Sequence, residues 1–255
     1  MLILLSPAKT LDFDSTVSIT ESTTPAFLKR SAQLVEAART LSEDELAKLM
    51  SISPDLASLN HQRFASWKPA HTGKQVRQAL LAFKGDVYQG LEAESLDIDD
   101  IAFAQQHLRI LSGLYGVLRP LDMIRPYRLE MGSRLANPAG ANLYAFWGDT
   151  IAKALAADLP AGEPVINLAS QEYFKAVDTQ ALGAKVITPQ FKEWRQGQLK
   201  IVSFSAKRAR GMMARYAITE RINQAAKLKK FKLDGYRYEP ELSGDNEWVF
   251  AREQP

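Results

Sequence analysis

The chain has 255 residues and a net charge of +3, from 32 Lys and Arg against 29 Asp and Glu. It contains three His and no Cys, which excludes a disulfide scaffold, Cys-ligated zinc, an iron–sulfur cluster and a cysteine nucleophile. No run of residues reaches the roughly 18 apolar residues that a membrane span requires. We therefore expect a cytoplasmic protein without a metal site or a cofactor.

The N-terminal third is predicted to be largely helical after an initial buried strand at Met1–Leu5. Apolar residues recur at helical spacing between positions 27 and 41, which indicates an amphipathic helix. Capping signals then mark the starts of three further helices. These signals are the Ser42–Glu45 capping box, the Ser53–Pro54 pair, and the Thr72–Gln75 spacing before a helix that carries Val76, Leu80 and Leu81.

The middle of the chain is predicted to contain helices and one short strand. Asp97–Leu111 is predicted as a helix with acids in its first turn, and a strand over Leu108–Leu111 is the competing prediction. Asn142–Leu159 has the pattern of one amphipathic helix. Pro164–Leu168 is a short apolar strand, and a further helix is expected to start at Ser170.

The C-terminal part is predicted to contain two hairpins and one helix, Arg208–Asn223. The predicted strand pairs are 185–195 with 198–204, joined at Gln196–Gly197, and 236–238 with 248–251. Because these later strands are arranged as hairpins rather than βαβ units, they favour an α+β fold with a mixed sheet. No repeat or linker composition divides the chain, so a single domain is expected over residues 1–255.

Positive charge is concentrated in one segment. Between Lys200 and Lys232 there are ten Lys and Arg and one Glu, a local net charge of +9. A second basic group lies between Arg119 and Arg134. Basic segments bind polyanions by releasing phosphate counterions, so DNA is one candidate partner. A solvated helix face paired with the acidic first half of the chain is the alternative.

Ser6 and Lys9 follow the first predicted strand with the spacing of a serine nucleophile activated by lysine. In that chemistry the pair lies one turn apart at a helix start, whereas this pair follows a strand. A loop whose Lys9 contacts a phosphate or carboxylate is favoured over the nucleophile, because ligand crevices form at strand ends. A plain lysine in a surface loop is the third interpretation.

Two glycine-containing segments resemble anion-binding loops only in part. Lys84–Gly90 has two glycines but lacks the Gly-Lys-Ser/Thr order of a P-loop. Leu111–Pro120 carries Gly113 and Gly116, and a helix-hairpin-helix turn would direct backbone N–H groups at DNA phosphates. In the usual hairpin the glycines are two apart rather than three, so a tight buried turn is an equal alternative.

Two predicted junctions between a strand and a helix carry polar residues. At Asn167–Lys175, Ser170 is either a helix N-cap or part of an anion seat. At Ser203–Tyr216, the predicted helix has three bases in its first turn, which oppose the helix dipole by about 0.3–1 kcal/mol each if unpaired. We interpret this arrangement as a sign of an anionic partner, and it is the strongest functional signal in the chain.

Eight segments together resemble the bacterial YaaA family of peroxide stress resistance proteins. They are Met1–Asp12, Ala82–Tyr88, Phe103–Arg109, Leu111–Asp122, Pro126–Gly132, Phe146–Asp149, Asn167–Lys175 and Ser205–Gly211. The resemblance implies protection from hydrogen peroxide by limiting unincorporated intracellular iron. It also implies an unusual α+β fold with a helix-hairpin-helix-like element, here near Ser112–Gly116, beside a positively charged cleft linked to DNA binding.

Two candidate sites follow from these patterns. Binding of DNA without sequence specificity would use Lys9, Lys84, Gly113, Gly116, Arg119, Arg128, Lys207, Arg208 and Arg210. The alternative function, an enzyme acting on a small anionic substrate, would use Ser6, Lys9, Lys84, Asp86, Ser170, Tyr173 and Lys207. Direct iron storage is disfavoured, because the acids between 97 and 100 lack a His-carboxylate pattern.

Overall fold

The computed structural model describes residues 1–16, 19–70, 73 and 75–253. The strands are β1 (Leu2–Leu5), β2 (Thr10–Leu11), β3 (Arg77–Gln78), β4 (Phe83–Lys84), β5 (Leu108–Ser112), β6 (Gly116–Leu118), β7 (Met123–Ile124), β8 (Val165–Asn167), β9 (Val186–Arg195), β10 (Gln198–Lys200), β11 (Arg237–Tyr238) and β12 (Glu247–Glu253). The α-helices are α1 (Leu28–Arg39), α2 (Glu43–Met50), α3 (Pro54–Ser66), α4 (Ala79–Ala82), α5 (Asp86–Leu91), α6 (Ile98–His107), α7 (Leu143–Trp147), α8 (Thr150–Asp158), α9 (Gln171–Phe174), α10 (Thr179–Leu182) and α11 (Ser203–Thr219). Short 3₁₀ segments cover Ala93–Ser95, Ala225–Lys230, Leu233–Gly235 and Pro240–Leu242.

Eight of the described strands form one mixed sheet in the order β11-β12-β9-β8-β1-β5-β6, with β10 paired to β9. Five of them, β12, β9, β8, β1 and β5, pair in parallel. The strands β6, β10 and β11 pair antiparallel with their neighbours. The predicted α+β fold with a mixed sheet and hairpins is therefore confirmed. Its parallel centre was not predicted, because parallel strands are joined by long crossovers that leave no local turn signal.

The strand β1 lies in the interior of this sheet and in the hydrophobic core. Its four residues, Leu2–Leu5, are all buried, because β5 and β8 flank it and α6 packs against it. A strand in such a position has a continuous apolar sequence rather than an alternating one. The strand predicted at the N-terminus is confirmed.

None of the described helices has the length and apolar character needed to cross a bilayer.

Local capping signals predicted the first helices correctly. The Ser42–Glu45 capping box of α2 is present, with hydrogen bonds of 2.8 and 3.3 Å. Ser53 caps α3, and proline follows it in the first turn. The helix predicted over 76–81 is wrong in its first part, because β3 pairs with β7 there. Thr72, the expected cap of that helix, lies outside the described residues.

Two further predicted helices end or break earlier than expected. The helix α6 ends at His107, and the competing strand prediction is correct over Leu108–Ser112. The predicted helix Asn142–Leu159 is two helices, because Gly148 adopts a φ of +49° between α7 and α8. A residue in that region of φ is incompatible with a continuous right-handed helix.

The helix α11 begins at Ser203, five residues earlier than predicted. The preceding strand β10 accordingly ends at Lys200, although both predicted hairpins are present. Lys207 and Arg208 therefore lie beyond the first turn of α11, and the prediction of three bases in that turn is wrong. Because the helix-dipole effect falls off within one turn, these bases oppose the dipole less than predicted.

The segment predicted as a helix-hairpin-helix is a turn between the two strands β5 and β6. A Cβ at Gly113 would lie 2.2 Å from the carbonyl oxygen of Leu129, and Gly116, at φ +72°, lies against the Trp147 ring. Both glycines are buried. The helix-hairpin-helix prediction for Ser112–Gly116 is therefore wrong, the tight buried turn is confirmed, and neither glycine is available to a DNA phosphate.

An ionic cluster with two buried members, Glu193 and Arg252, joins β9 to β12. We call it the Glu193 cluster, and its members are Glu193, Arg195, Asp234 and Arg252. Glu193 and Arg252 are partners in the parallel register. Arg252 Nη2 lies 2.6 Å from Glu193 Oε1, and Arg195 Nη2 lies 2.8 Å from Glu193 Oε2. Arg252 also pairs with Asp234, so each charge in the cluster has an opposite partner.

Candidate functional site

A cavity of about 510 Å³ opens beside the ends of β1 and β8. These two strands are parallel neighbours. The chain continues from β1 to β5 on one side of the pair and from β8 to β9 on the other side, so the order of the strands reverses between β1 and β8. A crevice at such a topological switch point is the usual ligand position in open sheets of parallel strands. We call it the switch-point cavity.

The switch-point cavity collects polar residues from distant parts of the chain. They are Ser6, Lys9, Thr10, Lys84, Asp86, Tyr88, Tyr127, Arg128, Glu130, Ser170, Glu172, Tyr173, Lys207 and Arg210. All seven residues predicted for the small-substrate site are among them, although they lie up to 200 positions apart in the sequence. The cavity volume falls within the range of small-molecule pockets.

Two serines join the ends of β1 and β8. Ser170 N–H donates to Ser6 Oγ at 2.8 Å, and Ser6 Oγ donates to Ser170 Oγ at 3.3 Å. Ser170 also caps α9, since Tyr173 N–H donates to its Oγ at 3.5 Å. The N-cap interpretation of Ser170 is therefore confirmed, and its role in an anion seat stays a prediction. Lys9 Nζ lies 3.2 Å from Glu130 Oε1, which directs it to a carboxylate rather than to Ser6.

Acidic side chains balance most of the cations in the cavity lining. Glu130 Oε1 is contacted by Lys9 Nζ and also by Arg128 Nη2, which lies 3.1 Å away. Lys207 Nζ lies 3.9 Å from Asp86 Oδ2. Lys84 pairs with Glu94 and lies 3.6 Å from Asp12. The lining is therefore a mixture of charges with an excess of cations, and not a uniformly basic surface.

Arg210 differs from these cations because no described residue forms a hydrogen bond or an ion pair with its guanidinium. It lies on α11 and lines the cavity in a half-buried position. Burial lowers the pKa of Arg210 from its ordinary value, and no neighbouring acid offsets this effect. A guanidinium is charged at any physiological pH. Arg210 is therefore a charge that is available to a bound anion.

Three buried tyrosines form an aromatic wall of the cavity: Tyr88, Tyr127 and Tyr173. Burial is the main cause that raises the pKa of all three hydroxyls, so they are neutral at physiological pH. Tyr88 donates to the backbone oxygen of Ser6 at 3.0 Å, and the Tyr127 hydroxyl lies 2.6 Å from Ser112 Oγ. These bonds hold the rings in place.

Two glycines allow the helices α5 and α11 to cross at very short distance. A Cβ at Gly211 would lie 1.8 Å from the Val87 carbonyl oxygen, and one at Gly90 would lie 2.1 Å from that of Arg208. Only residues without a side chain fit at this crossing. The crossing brings Asp86 of α5 next to Lys207 of α11, and it therefore positions one side of the cavity.

The other residues predicted to bind DNA lie outside the cavity. Arg119 is held by Asp122 at 3.1 Å and by the carbonyl oxygen of Thr24 at 3.2 Å. Arg208 is exposed on α11 and does not line the cavity. Five of the nine residues predicted to bind DNA do line the cavity, namely Lys9, Lys84, Arg128, Lys207 and Arg210, whereas Arg119, Arg208, Gly113 and Gly116 lie outside it. DNA binding by these residues stays a prediction.

Several cavity residues were not predicted as site residues. The polar ones are Thr10, Tyr88, Tyr127, Glu130 and Glu172. Tyr127 and Glu130 belong to Pro126–Gly132, a segment with no regular secondary structure and no known catalytic spacing. Their one sequence signal was that this segment carries part of the family resemblance.

The chain matches the profile of one protein family, described as Peroxide stress protein YaaA, over residues 1–242. A UPF0246 protein of Ralstonia nicotianae is 56% identical over 99% of both chains. A UPF0246 protein of Janthinobacterium is 54% identical over 99% of this chain and 98% of the relative. This chain belongs to the YaaA family of peroxide stress proteins.

The segments that resembled the YaaA family supply much of the cavity lining. Residues 1–12, 82–88, 126–132 and 167–175 provide most of its polar side chains. Residues 205–211 add Lys207 and Arg210. Five of the eight segments that carry the resemblance to the YaaA family therefore line the switch-point cavity.

Proposed function

We propose that this YaaA-family protein acts in the peroxide stress response by binding a small anionic molecule, as its substrate, in the switch-point cavity. The observation that carries the proposal is the convergence of five Lys and Arg, against three Asp and Glu, in one cavity at a topological switch point. Opposite charges attract strongly in a partly desolvated site, so this excess favours an anion.

The hydrogen bonds in the cavity leave donors for such a molecule. Ser170 Oγ accepts from Ser6 Oγ and from Tyr173 N–H, which leaves its own hydrogen for a ligand. Lys207 is attracted to Asp86 at 3.9 Å but forms no hydrogen bond at that distance. A bound anion can therefore engage both groups without breaking an existing hydrogen bond.

We propose further that the protein limits unincorporated iron indirectly. A cavity lining with excess cations repels Fe²⁺. Within the described part of the chain, no three His, Asp or Glu side chains are grouped closely enough to hold a metal ion. The effect on iron then depends on the molecule bound or converted in the cavity.

Isothermal titration calorimetry with small phosphates and carboxylates tests the anion site. Lys207→Met is expected to weaken binding about ten- to hundredfold, because a hydrogen bond to a charged group is worth about 1.5–3 kcal/mol. Lys232→Met is the matched control, since Lys232 belongs to the same basic segment but does not line the cavity. No binding of any of these anions by the wild-type protein would overturn the proposal.

A second candidate function is binding of DNA without sequence specificity, which a set of exposed bases outside the cavity favours. They are Arg208, Lys227, Lys229, Lys230 and Lys232. The ammonium of Lys229 lies over the rings of Tyr238 and Trp248, at 4.9 and 4.7 Å from their centres. Exposed Lys and Arg bind phosphates through counterion release, so this binding would weaken steeply with salt.

Fluorescence anisotropy with a labelled duplex tests this second candidate at salt concentrations between about 50 and 200 mM. Reversing the charges of Lys207, Arg208 and Arg210 together is expected to reduce duplex binding. The second candidate is refuted if this variant and a variant with the charges of Lys229 and Lys230 reversed both bind the duplex as the wild type does. Lys229→Glu combined with Lys230→Glu separates the two functions, because neither residue lines the cavity. That variant should lose duplex binding and keep binding of small anions.

A further inference from the structure

The walls of the switch-point cavity differ in chemistry. The crossing of α5 and α11 supplies Asp86, Lys207 and Arg210. The segment that follows β7 supplies Tyr127, Arg128 and Glu130, next to Tyr173 of α9. A molecule that fills the cavity therefore meets two cations and the carboxylate of Asp86 on the first wall, and aromatic rings beside the Arg128–Glu130 ion pair on the second.

Glu130 carries an unused hydrogen-bond acceptor in the second wall. Its Oε1 is contacted by Lys9 and Arg128, whereas its Oε2 is buried and has no partner among the described residues. A buried acceptor without a donor costs about 1–3 kcal/mol. A ligand that presents an N–H or O–H donor to this oxygen removes that cost, and an anion without a donor cannot.

The three tyrosines complete a surface for a flat ring. Tyr88, Tyr127 and Tyr173 are neutral and held by the surrounding structure, so their apolar faces and edges remain fixed. Aromatic rings interact favourably with one another in stacked or edge-to-face arrangements. Together with Glu130 Oε2, they form a surface that matches a nitrogen-containing aromatic ring with an N–H or amino group.

We propose that the small anionic molecule bound in the switch-point cavity is a nucleoside phosphate. Its phosphate would lie at Arg210 and Lys207, and its base would lie against the tyrosines with a donor directed to Glu130. This inference rests on the proposed function, because it specifies the ligand of the same cavity. The volume of about 510 Å³ is within the range occupied by ligands of this size.

Calorimetric titration of the full chain with three sets of probes tests the inference. The probes are the four common nucleoside monophosphates, ribose 5-phosphate and inorganic phosphate. At least one nucleotide is expected to bind ten times or more tightly than ribose 5-phosphate, because only the nucleotide contacts the second wall. If ribose 5-phosphate binds as tightly as every nucleotide, the inference is wrong and the proposed anion site stands. If no probe binds, the inference is wrong, and the proposed anion site is wrong as well if the small carboxylates of the first titration also fail to bind.

Two variants test which wall of the cavity binds the phosphate and which binds the base. Arg210→Met is expected to weaken nucleotide binding about ten- to hundredfold. Arg208→Met is its matched control on the same helix, since Arg208 lies outside the cavity, and it should bind as wild type. Glu130→Gln should remove the preference for a nucleotide over ribose 5-phosphate. Equal effects of Arg210→Met and Arg208→Met would contradict the placement of the phosphate.

A further measurement uses only the wild-type protein, so it does not depend on the folding of any variant. It is the change in the near-ultraviolet circular dichroism of the tyrosines when a nucleotide is added. The change is expected with a nucleotide and not with ribose 5-phosphate. The same spectrum with both probes would show that the base does not contact the aromatic wall.

Discussion

The Glu193 cluster and the switch-point cavity both gather charged side chains, but they differ in how these charges are matched. In the Glu193 cluster, both carboxylate oxygens of Glu193 have an arginine partner, and Arg252 has a second acid in Asp234. In the cavity, Arg210 has no described partner and Glu130 Oε2 has none either. The first region can use its charges only to hold β9 and β12 together. The second keeps charges free for a ligand.

The largest effect on stability is expected from breaking the Glu193 cluster. Arg252→Met removes the buried one of the two arginine partners of a fully buried carboxylate and leaves Arg195 in place, and loss of one member of a buried pair costs up to about 3–5 kcal/mol. Urea denaturation should show this loss in the free energy of unfolding. Arg237→Met, an exposed arginine on the neighbouring strand β11, should leave it nearly unchanged. A loss in Arg252→Met no larger than in the control would show that the cluster contributes nothing to stability.

Acid is expected to weaken the same cluster in the wild-type protein. Burial alone would raise the pKa of Glu193, but hydrogen bonds from Ser205, Arg252 and Arg195 outweigh it and lower the pKa to about 2. This folded pKa lies below the ordinary value of 4.5. The ionised Glu193 carboxylate therefore stabilises the folded state fully above about pH 4.5, and this stabilisation is lost as the pH falls toward 2. The loss amounts to at most about 3 kcal/mol.

Denaturation curves between pH 5 and pH 3, at intervals of about half a unit, measure this effect in the wild type and in Glu193→Gln. The variant lacks the titrating carboxyl, so its stability should fall less over the same range. Parallel curves for the two proteins would assign the acid sensitivity to other carboxyls.

An intermediate effect is expected at the helix crossing that shapes the cavity. Gly211→Ala places a Cβ against the carbonyl oxygen of Val87, and forced overpacking costs about 1–3 kcal/mol. Because α5 must move away from α11, binding of small anions should weaken as well. Gly244→Ala is the control, since a Cβ there meets no atom within 4 Å. Thermal melting and calorimetric titration of both variants measure the two effects, and unaltered binding by Gly211→Ala would argue against this positioning role.

The smallest effect on stability is expected from substituting Arg210, the cavity arginine without a partner among the described residues. Arg210→Met removes no hydrogen bond or ion pair with any described residue, so the free energy of unfolding should change by no more than about 0.5 kcal/mol. Binding of the anion should nevertheless fall. A variant that loses stability as strongly as Arg252→Met would show that Arg210 is structural, and the contrast between the two regions would disappear.

Predictions succeeded where a few neighbouring residues decide the outcome. The capping box at Ser42 and the buried run Leu2–Leu5 specify their elements through contacts within one turn or one strand. They left helix and strand open at Leu108–Leu111 and failed at the start of α11, because pairing with β1 or packing against α5 decides the local structure there. The turn at Gly113 is a similar case, because the nearby Leu129 backbone is close in space and distant in sequence.

The sequence by itself determined the kinds of chemistry this protein can use: no thiol, few imidazoles, and an excess of Lys and Arg near the C-terminus. It also determined membership of the YaaA family and the candidate residues of the small-substrate site. Only the tertiary structure decided that Ser6, Ser170 and Lys207 meet in one cavity, and that Arg210 is free while Arg252 is paired. The reason is physical: side-chain type is a local property, whereas the burial and pairing of a charge depend on strands and helices that are distant in the sequence.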